Sequence, residues 1–100
     1  MRAGRVRRQD ADVKPEELDA LVAGNVRAAR ARLKLRQLDL ADDMGWAPST
    51  VSAVEAGTRR ITLADAISLC EALQIDLRQL LAGVDPGALA ALGLERRAGS

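Results

Sequence analysis

The chain has no histidine, no tyrosine and no phenylalanine, and it has a single cysteine and a single tryptophan. The lack of histidine excludes a Ser-His-Asp triad and histidine metal sites, and one cysteine supports neither a multi-cysteine zinc site nor an internal disulfide. No apolar run approaches the roughly 20 residues that span a bilayer, and the basic N-terminus lacks the apolar stretch of a signal peptide. We therefore expect a cytoplasmic protein with no membrane association, no cofactor and no enzymatic activity.

The residues that are abundant indicate helices. Hydrophobic residues make up 48% of the chain, and most of them are alanine and leucine. Sheets favour β-branched and aromatic residues instead, so this composition favours helices packed on small side chains. A chain of 100 residues is long enough for one modest core but not for two. The composition therefore predicts an all-α fold.

Charge is distributed unevenly along the chain. Residues 1–36 hold ten basic and five acidic side chains, whereas residues 37–100 hold five basic and nine acidic ones. Such asymmetry suggests an anionic partner near the N-terminal part, although a solvated polar surface would explain it as well. The chain divides into a flexible basic arm (1–14), a helical domain (15–83) and a short C-terminal helical tail (84–100).

Apolar spacing, prolines and glycines predict the helices of this domain. Pro15 begins the first helix, and Gly24 inside it leaves open one helix, a kinked helix or two consecutive helices. The second covers 37–44 and the third 48–56, each followed by a glycine. Caps at Thr62 and Asp76 begin the fourth and fifth helices. In the second helix we expect Leu38, Ala41 and Met44 to lie inward or nearly so, with Leu40 beside them. In the fourth helix the expected apolar stripe is Leu63, Ala66, Ile67, Cys70 and Leu73.

Residues 37–56 carry the strongest functional pattern. Two short helices that cross closely need a small residue at the crossing, and Ala41 occupies that place. The turn between them needs a residue free to adopt positive φ, which Gly45 supplies. The second of the two helices must bury two residues three apart, as Val51 and Val54 are. This spacing is typical of the helix-turn-helix arrangement.

Residues 22–83 resemble the Cro/C1-type (lambda-repressor-like, XRE) DNA-binding domains, which are five-helix bundles. Beyond the segment just described, the resemblance rests on residues 24–27, on Arg30, on Gln37 at the start of the second helix, and on Ser52, Glu55 and Gly57 around the third. Ala72-Leu73 to Leu80-Leu81 is similar to the family's closing helices. The resemblance implies a sequence-specific transcriptional regulator, working as a homodimer on double-stranded DNA with the third helix in the major groove.

The resemblance also implies roles for individual residues. Gln37 would hydrogen-bond a backbone phosphate, and the loop after the third helix would contact phosphates through Arg59 and Arg60. Arg30 and Glu55 would form a structural ion pair. The implied DNA-binding residues are Gln37, Pro48, Ser49, Thr50, Ser52, Ala53, Thr58, Arg59 and Arg60.

The outward face of the third helix departs from the family, because its residues Ser49, Ser52, Ala53 and Ala56 are all short. No side chain there reaches a base bidentately. Either the helix sits deep and reads thymine methyls through Ala53 and Thr50 and base edges through Ser49, or it packs against a protein partner. The function is thus a homodimeric DNA-binding regulator or, alternatively, a protein-interaction module of the same fold that no longer reads bases.

The other features also allow two interpretations each. The arginines of the arm (Arg2, Arg5, Arg7, Arg8) enter a neighbouring minor groove or form an unstructured basic tail. Dimerisation uses the tail, through Leu89, Leu92 and Leu94, or the fifth helix, through Leu77 and Leu81. Trp46 and Cys70 are expected in the core. Since Lys34 and Arg36 replace the turn-forming and capping residues that the family prefers, we expect a less tightly held loop before the second helix.

Overall fold

The computed structural model describes residues 14–94, which form six helices and no strand. This confirms the predicted all-α class. None of these helices is both long and apolar enough to cross a membrane. The arginines predicted for the arm, and residues 95–97 of the tail, lie outside the described residues. The helices are α1 (Pro15–Arg32), α2 (Gln37–Met44), α3 (Pro48–Glu55), α4 (Leu63–Leu73), α5 (Leu77–Leu80) and α6 (Pro86–Ala91).

Helix α1 is one continuous helix that passes through Gly24. Its first turn contains Pro15, whose missing N–H costs nothing there, and two glutamates that interact favourably with the helix dipole. Two arginines in the last turn complement the opposite end of the dipole. The buried face is small and apolar, which allows the other helices to approach closely: Val22, Ala23, Val26 and Ala29.

Helices α2 and α3 cross through the turn that the sequence predicts. Gly45 ends α2 at φ 69°, in the left-handed region where glycine carries no steric penalty. Ala41 and Leu40 of α2 are buried, together with Val51 and Val54 of α3. The expectation for Leu38 is wrong, because its side chain is 47% exposed. In an eight-residue helix two neighbouring apolar stripes are possible, and the one that faces α3 and α4 contains Leu40.

The predicted caps begin the next two helices. The Thr62 hydroxyl accepts a hydrogen bond from the Asp65 N–H, and the Thr62 N–H donates to the Asp65 carboxylate. Asp76 and Gln79 form the same reciprocal pair at α5. Each pair satisfies two backbone N–H groups that a helix start leaves without a partner.

The apolar face of α4 is rotated from the one that we expected. Ala66, Leu69 and Leu73 face the core, whereas Leu63 is 74% and Ile67 58% exposed. Helix α4 carries two overlapping apolar stripes, and sequence spacing does not decide which of them the domain covers. Within residues 14–94, an apolar face of α4 is therefore left uncovered.

The C-terminal segment packs on the domain. The Asp85 side chain accepts from the Ala88 N–H and caps α6. Val84 is buried, and Leu89 and Leu94 pack against the core. Leu92, on the other side of this segment, is 58% exposed.

A buried ion pair joins α1 to the end of α3. The Arg30 guanidinium donates to both oxygens of Glu55, at 2.6 and 2.9 Å, and a third Arg30 nitrogen donates to the Leu35 carbonyl at 2.8 Å. Glu55 is only 3% exposed, and the Arg30 side chain is 20% exposed. This pair therefore connects α1, the loop before α2 and α3.

Burial raises the pKa of Glu55, but hydrogen bonds from Arg30 and Gln37, together with the positive charges of Arg30 and Arg27, outweigh it. The net effect is a pKa below the usual range of a glutamate. Because the folded pKa lies below the unfolded one, the ionised carboxylate stabilises the fold above the unfolded pKa of about 4.3. This stabilisation is lost as the pH falls through the folded pKa.

We expect Glu55→Ala to lower the free energy of unfolding by roughly 1–4 kcal/mol at pH 7, because Arg30 keeps its charge but loses its partner. Urea denaturation measures this loss. The difference between wild type and variant should shrink as the pH falls from the unfolded pKa of about 4.3 through the lower pKa of the folded Glu55 carboxylate.

The double variant Arg30→Ala/Glu55→Ala is the matched control for this pair. Removing Arg30 from the Glu55→Ala protein should cost less than removing it from the wild type, since no partner remains. Losses that simply add would show that the two side chains do not interact.

Candidate nucleic-acid interface

The outward face of α3 is smooth. Pro48, Ser49 and Ser52 are exposed, and Thr50 and Ala53 are half-buried, while the opposite side of the helix buries Val51, Val54 and Glu55. No side chain on the outward face is longer than that of threonine or proline. The backbone of α3 can therefore approach a surface more closely than a helix with long side chains could.

Gln37 links the start of α2 to α3. Its amide Nε2 donates to Oε1 of Glu55 at 3.0 Å, and its Oε1 accepts from the Ser52 hydroxyl at 3.0 Å. Together with the ion pair, these contacts form a continuous chain from Arg30 in α1 to the exposed Ser52. We call this chain the polar relay: Arg30, Glu55, Gln37 and Ser52. Sequence reasoning predicted the Arg30–Glu55 ion pair but missed the two hydrogen bonds of Gln37 that extend it to Ser52.

The spacing contains a signal for this relay. Ser52 and Glu55 are three residues apart, so they are neighbours on the surface of α3, with Ser52 on the exposed side and Glu55 on the buried side. Arg27 and Arg30 are also three apart on α1, and Arg27 donates to the main-chain carbonyl of Glu55. That carbonyl lies at the end of α3, where no intrahelical N–H is available for it. Arg27 thus contributes a second connection between α1 and the end of α3.

Arg36, just before α2, is a cation paired with Asp39 of that helix. Arg36 donates to the Asp39 carboxylate through its backbone N–H, at 2.8 Å, and through its guanidinium. The hydrogen bonds from the Arg36 side chain and backbone lower the pKa of Asp39 to about 2. The preceding Lys34 adopts φ 59°, an uncommon conformation for a lysine. Asp39, acting from three residues later, and Arg30, through the Leu35 carbonyl, hold this loop in place of a capping serine.

The loop after α3 places three candidate residues beside the exposed face. Gly57 turns the chain at φ 77°, and a side chain there would approach the α1 backbone at Ala20. The Thr58 hydroxyl donates to the Ala53 carbonyl at 3.2 Å, and the backbone N–H groups of Thr58 and Arg59 donate to the same carbonyl. The loop is therefore held against the end of α3.

The two loop arginines are held differently. The Arg59 guanidinium lies 5.7 Å from the centroid of the Trp46 ring, a cation–π distance. Arg60 forms an ion pair with Asp19 of α1 at 3.3 Å and is 68% exposed. Trp46 packs half-buried against the core and at the same time supports Arg59. Sequence reasoning missed both contacts, because neither partner is close in sequence.

Comparison with known proteins supports this arrangement of helices. A family model described as "Helix-turn-helix" matches residues 26–80. No curated protein matches the chain significantly.

Two solved structures are similar to the chain. One is the restriction-modification controller protein C.AhdI from Aeromonas hydrophila, with 32% identity and a TM-score of 0.59, covering 62% of this chain and 94% of that one. The other is a hypothetical transcription factor, NHTF, from Neisseria, with 30% identity and a TM-score of 0.63, covering 80% of this chain and 90% of that one. The chain therefore belongs to the Cro/C1-type helix-turn-helix family of DNA-binding transcriptional regulators, which are not enzymes.

Proposed function

We propose that the chain acts as a homodimer on a two-fold symmetric site and places α3 in the major groove of DNA. The observation that carries this proposal is the smooth exposed face of α3, which has hydrogen-bond donors on both sides. Gln37 and the start of α2 lie on one side, and Thr58, Arg59 and Arg60 lie on the other. A major groove is about 12 Å wide and admits a helix, and short side chains allow that helix to sit deep.

Phosphate contacts fix the helix in the groove. Only one of the two amide hydrogens of Gln37 is used by Glu55, so the other is free to donate to a phosphate oxygen. Arg59 is oriented on Trp46, which reduces the side-chain entropy that a phosphate contact would cost. The Arg60 guanidinium interacts with both the Asp19 carboxylate and the phosphate.

Base contacts on this face are few and close. Ser49 and Ser52 offer hydroxyls to base edges, while Ala53 and the Thr50 methyl suit thymine methyl groups. Pro48 adds an apolar contact at the start of α3. Because no bidentate reader is present, each half-site contributes little specificity, and two copies are needed for useful affinity.

An exposed apolar face gives the second copy a place to bind. This face consists of the exposed Leu63 and Ile67 of α4 and Leu92 after α6, together with the half-buried Leu77 of α5, and it borders an open groove of about 530 Å³. Homodimer interfaces have apolar centres and polar rims; this face is apolar, and the Arg60–Asp19 ion pair also lines the groove. Leu81 is buried, so α5 contributes through Leu77 and the tail through Leu92.

A protein-interaction module is the second candidate. The observation that favours it is the same absence of a long base-reading side chain on the outward face of α3. Exposed Asp42 and Asp43 on α2 would also repel phosphates that came close. The experiment on random DNA below separates the two functions.

Selection of bound fragments from random double-stranded DNA with the full chain should enrich a two-fold symmetric motif. The motif should contain few strongly fixed positions, because α3 makes no bidentate contacts. The control is Ala53→Glu, which adds a negative charge on the outward face of α3 and should abolish enrichment. A wild-type protein that enriches no motif would support the protein-interaction function instead.

Arg59→Ala should reduce the slope of log K against log salt by about 0.9, and the double variant with Arg60→Ala by up to about 1.8. Arg60→Ala alone should have the smaller effect, since Asp19 already neutralises part of its charge. Binding titrations on a fixed duplex at several salt concentrations measure the slopes.

The charge-matched control is Arg78→Ala on α5, a helix that packs on α1 and α4. It should leave the salt slope unchanged. Equal slopes for the wild type and the double variant would place both loop arginines outside the interface.

Ile67→Glu should convert the dimer to a monomer, because a charge would be buried at the centre of the apolar face. Affinity for the two-fold site should fall by a factor on the order of 10² or more, since the second half-site contact is no longer intramolecular. Analytical ultracentrifugation and binding titrations measure the two effects together.

The control is Leu38→Glu, which introduces the same charge at an exposed leucine on α2, outside the apolar face. It should leave the dimer intact. If Ile67→Glu stays dimeric, the interface lies elsewhere. A wild-type monomer that binds the two-fold site with full affinity would reject the homodimer.

A further inference from the structure

The polar relay has a fixed hydrogen-bond direction that begins at Glu55. This carboxylate is 3% exposed and faces Arg30 at hydrogen-bond distance from both of its oxygens. An ionised carboxylate accepts hydrogen bonds and donates none. The group that approaches it from Gln37 must therefore be a donor.

This requirement determines how the Gln37 amide is turned. Its NH₂ group faces Glu55, and its carbonyl oxygen consequently faces Ser52, at 3.0 Å in each case. An amide oxygen only accepts, so Ser52 must donate its hydroxyl proton to Gln37. A serine hydroxyl has one proton and two lone pairs. Once the proton is committed to Gln37, Ser52 can only accept from groups outside the protein.

Ser52 is exposed on the outward face of α3, where the accepting lone pairs are available to a ligand. The bases of a major groove differ in what they offer at such a point. Adenine N6 and cytosine N4 carry amino groups that donate, whereas guanine O6 and N7 and thymine O4 only accept. Phosphate oxygens also only accept, so Ser52 is poorly suited to a phosphate contact in this state.

We propose that Ser52 is a specificity-determining residue that accepts a hydrogen bond from the amino group of adenine or cytosine, with Gln37 and Glu55 as positioning residues that fix its polarity. The inference rests on the proposed binding of α3 in the major groove. A guanine or thymine at this position would bring one acceptor against another. To avoid this, the Ser52 proton would have to leave Gln37, whose carbonyl oxygen would then lose its hydrogen bond.

The first experiment identifies the base that Ser52 contacts. Selection from random DNA is carried out with the wild type and with Ser52→Ala, and the position whose preference disappears in the variant is the contacted one. We expect adenine or cytosine at that position in each half-site. A wild-type preference for guanine or thymine there, or no position that depends on Ser52, would overturn the inference while leaving the proposed function intact.

The second experiment removes the amino group alone. The contacted adenine is replaced by purine, or the contacted cytosine by 2-pyrimidinone, so that the base keeps its ring but loses its donor. Wild-type affinity should fall by about 3- to 10-fold, the effect of one hydrogen bond. Ser52→Ala should bind the natural and modified duplexes equally. Equal wild-type binding to both duplexes would contradict the contact.

The third experiment tests the relay. In Glu55→Gln the new amide can present either its oxygen or its NH₂ group to Gln37, so the direction is no longer imposed. The preference at the Ser52 position should then extend to guanine and thymine, while the preferences at other positions persist. A merely structural role for Glu55 would weaken binding at all positions alike, with the adenine or cytosine preference kept.

Gln37→Met is a second variant in which the hydrogen-bond direction at Ser52 is no longer imposed, for use should Glu55→Gln fail to fold. It removes the carbonyl that holds the Ser52 proton and should relax the preference at the same single position. Overall affinity should also fall, because Gln37 is proposed to contact a phosphate. If a folded variant of either kind retains the strict preference, Ser52 does not take its polarity from the relay. Failure of the wild type to enrich any motif would instead reject the proposed DNA function.

Discussion

The buried carboxylate of Glu55 is the group on which the arrangement of the helix-turn-helix depends. The carboxylate accepts hydrogen bonds from Arg30 on α1 and from Gln37 at the start of α2. Arg27 donates to the main-chain carbonyl of the same residue. An anion at 3% exposure is tolerated only when donors replace its lost water. The positions of three helices are therefore coupled to the satisfaction of one charge.

Apolar packing and the polar relay constrain different properties of α3. Ala41, Val51 and Val54 set how closely α2 and α3 approach each other, and hydrophobic contacts of this kind have little directionality. The hydrogen bonds to Glu55 and Ser52 are directional, so they restrict the rotation of α3 about its own axis. The proposed reading of bases with short side chains tolerates little rotational error of α3, so under that proposal the relay has a functional role as well as a structural one.

The parts of the fold that could be predicted from the sequence are those determined by neighbouring residues. The caps at Thr62 and Asp76, the proline at the start of α3 and the left-handed Gly45 are local, and the structure has them as expected. The buried faces of α2 and α4 were mispredicted at Leu38 and Ile67, because each helix carries two apolar stripes. Only the packing of the whole domain decides which stripe is covered. The contacts of Arg59 with Trp46 and of Arg60 with Asp19 depend on that same packing.

The way in which the cations are held gives a physical reason for the proposed homodimer. Arg36 is paired with Asp39 and Arg60 with Asp19, so part of the positive charge beside α3 is already neutralised within one copy. Such exposed pairs contribute little stability, yet a phosphate must compete with the carboxylates for the same guanidinium groups. A face with short side chains and partly neutralised cations gains modest free energy from each half-site. In the proposed dimer, the apolar face of Leu63, Ile67, Leu77 and Leu92 is the compensating source, because pairing two copies makes the second contact intramolecular without requiring longer side chains on α3.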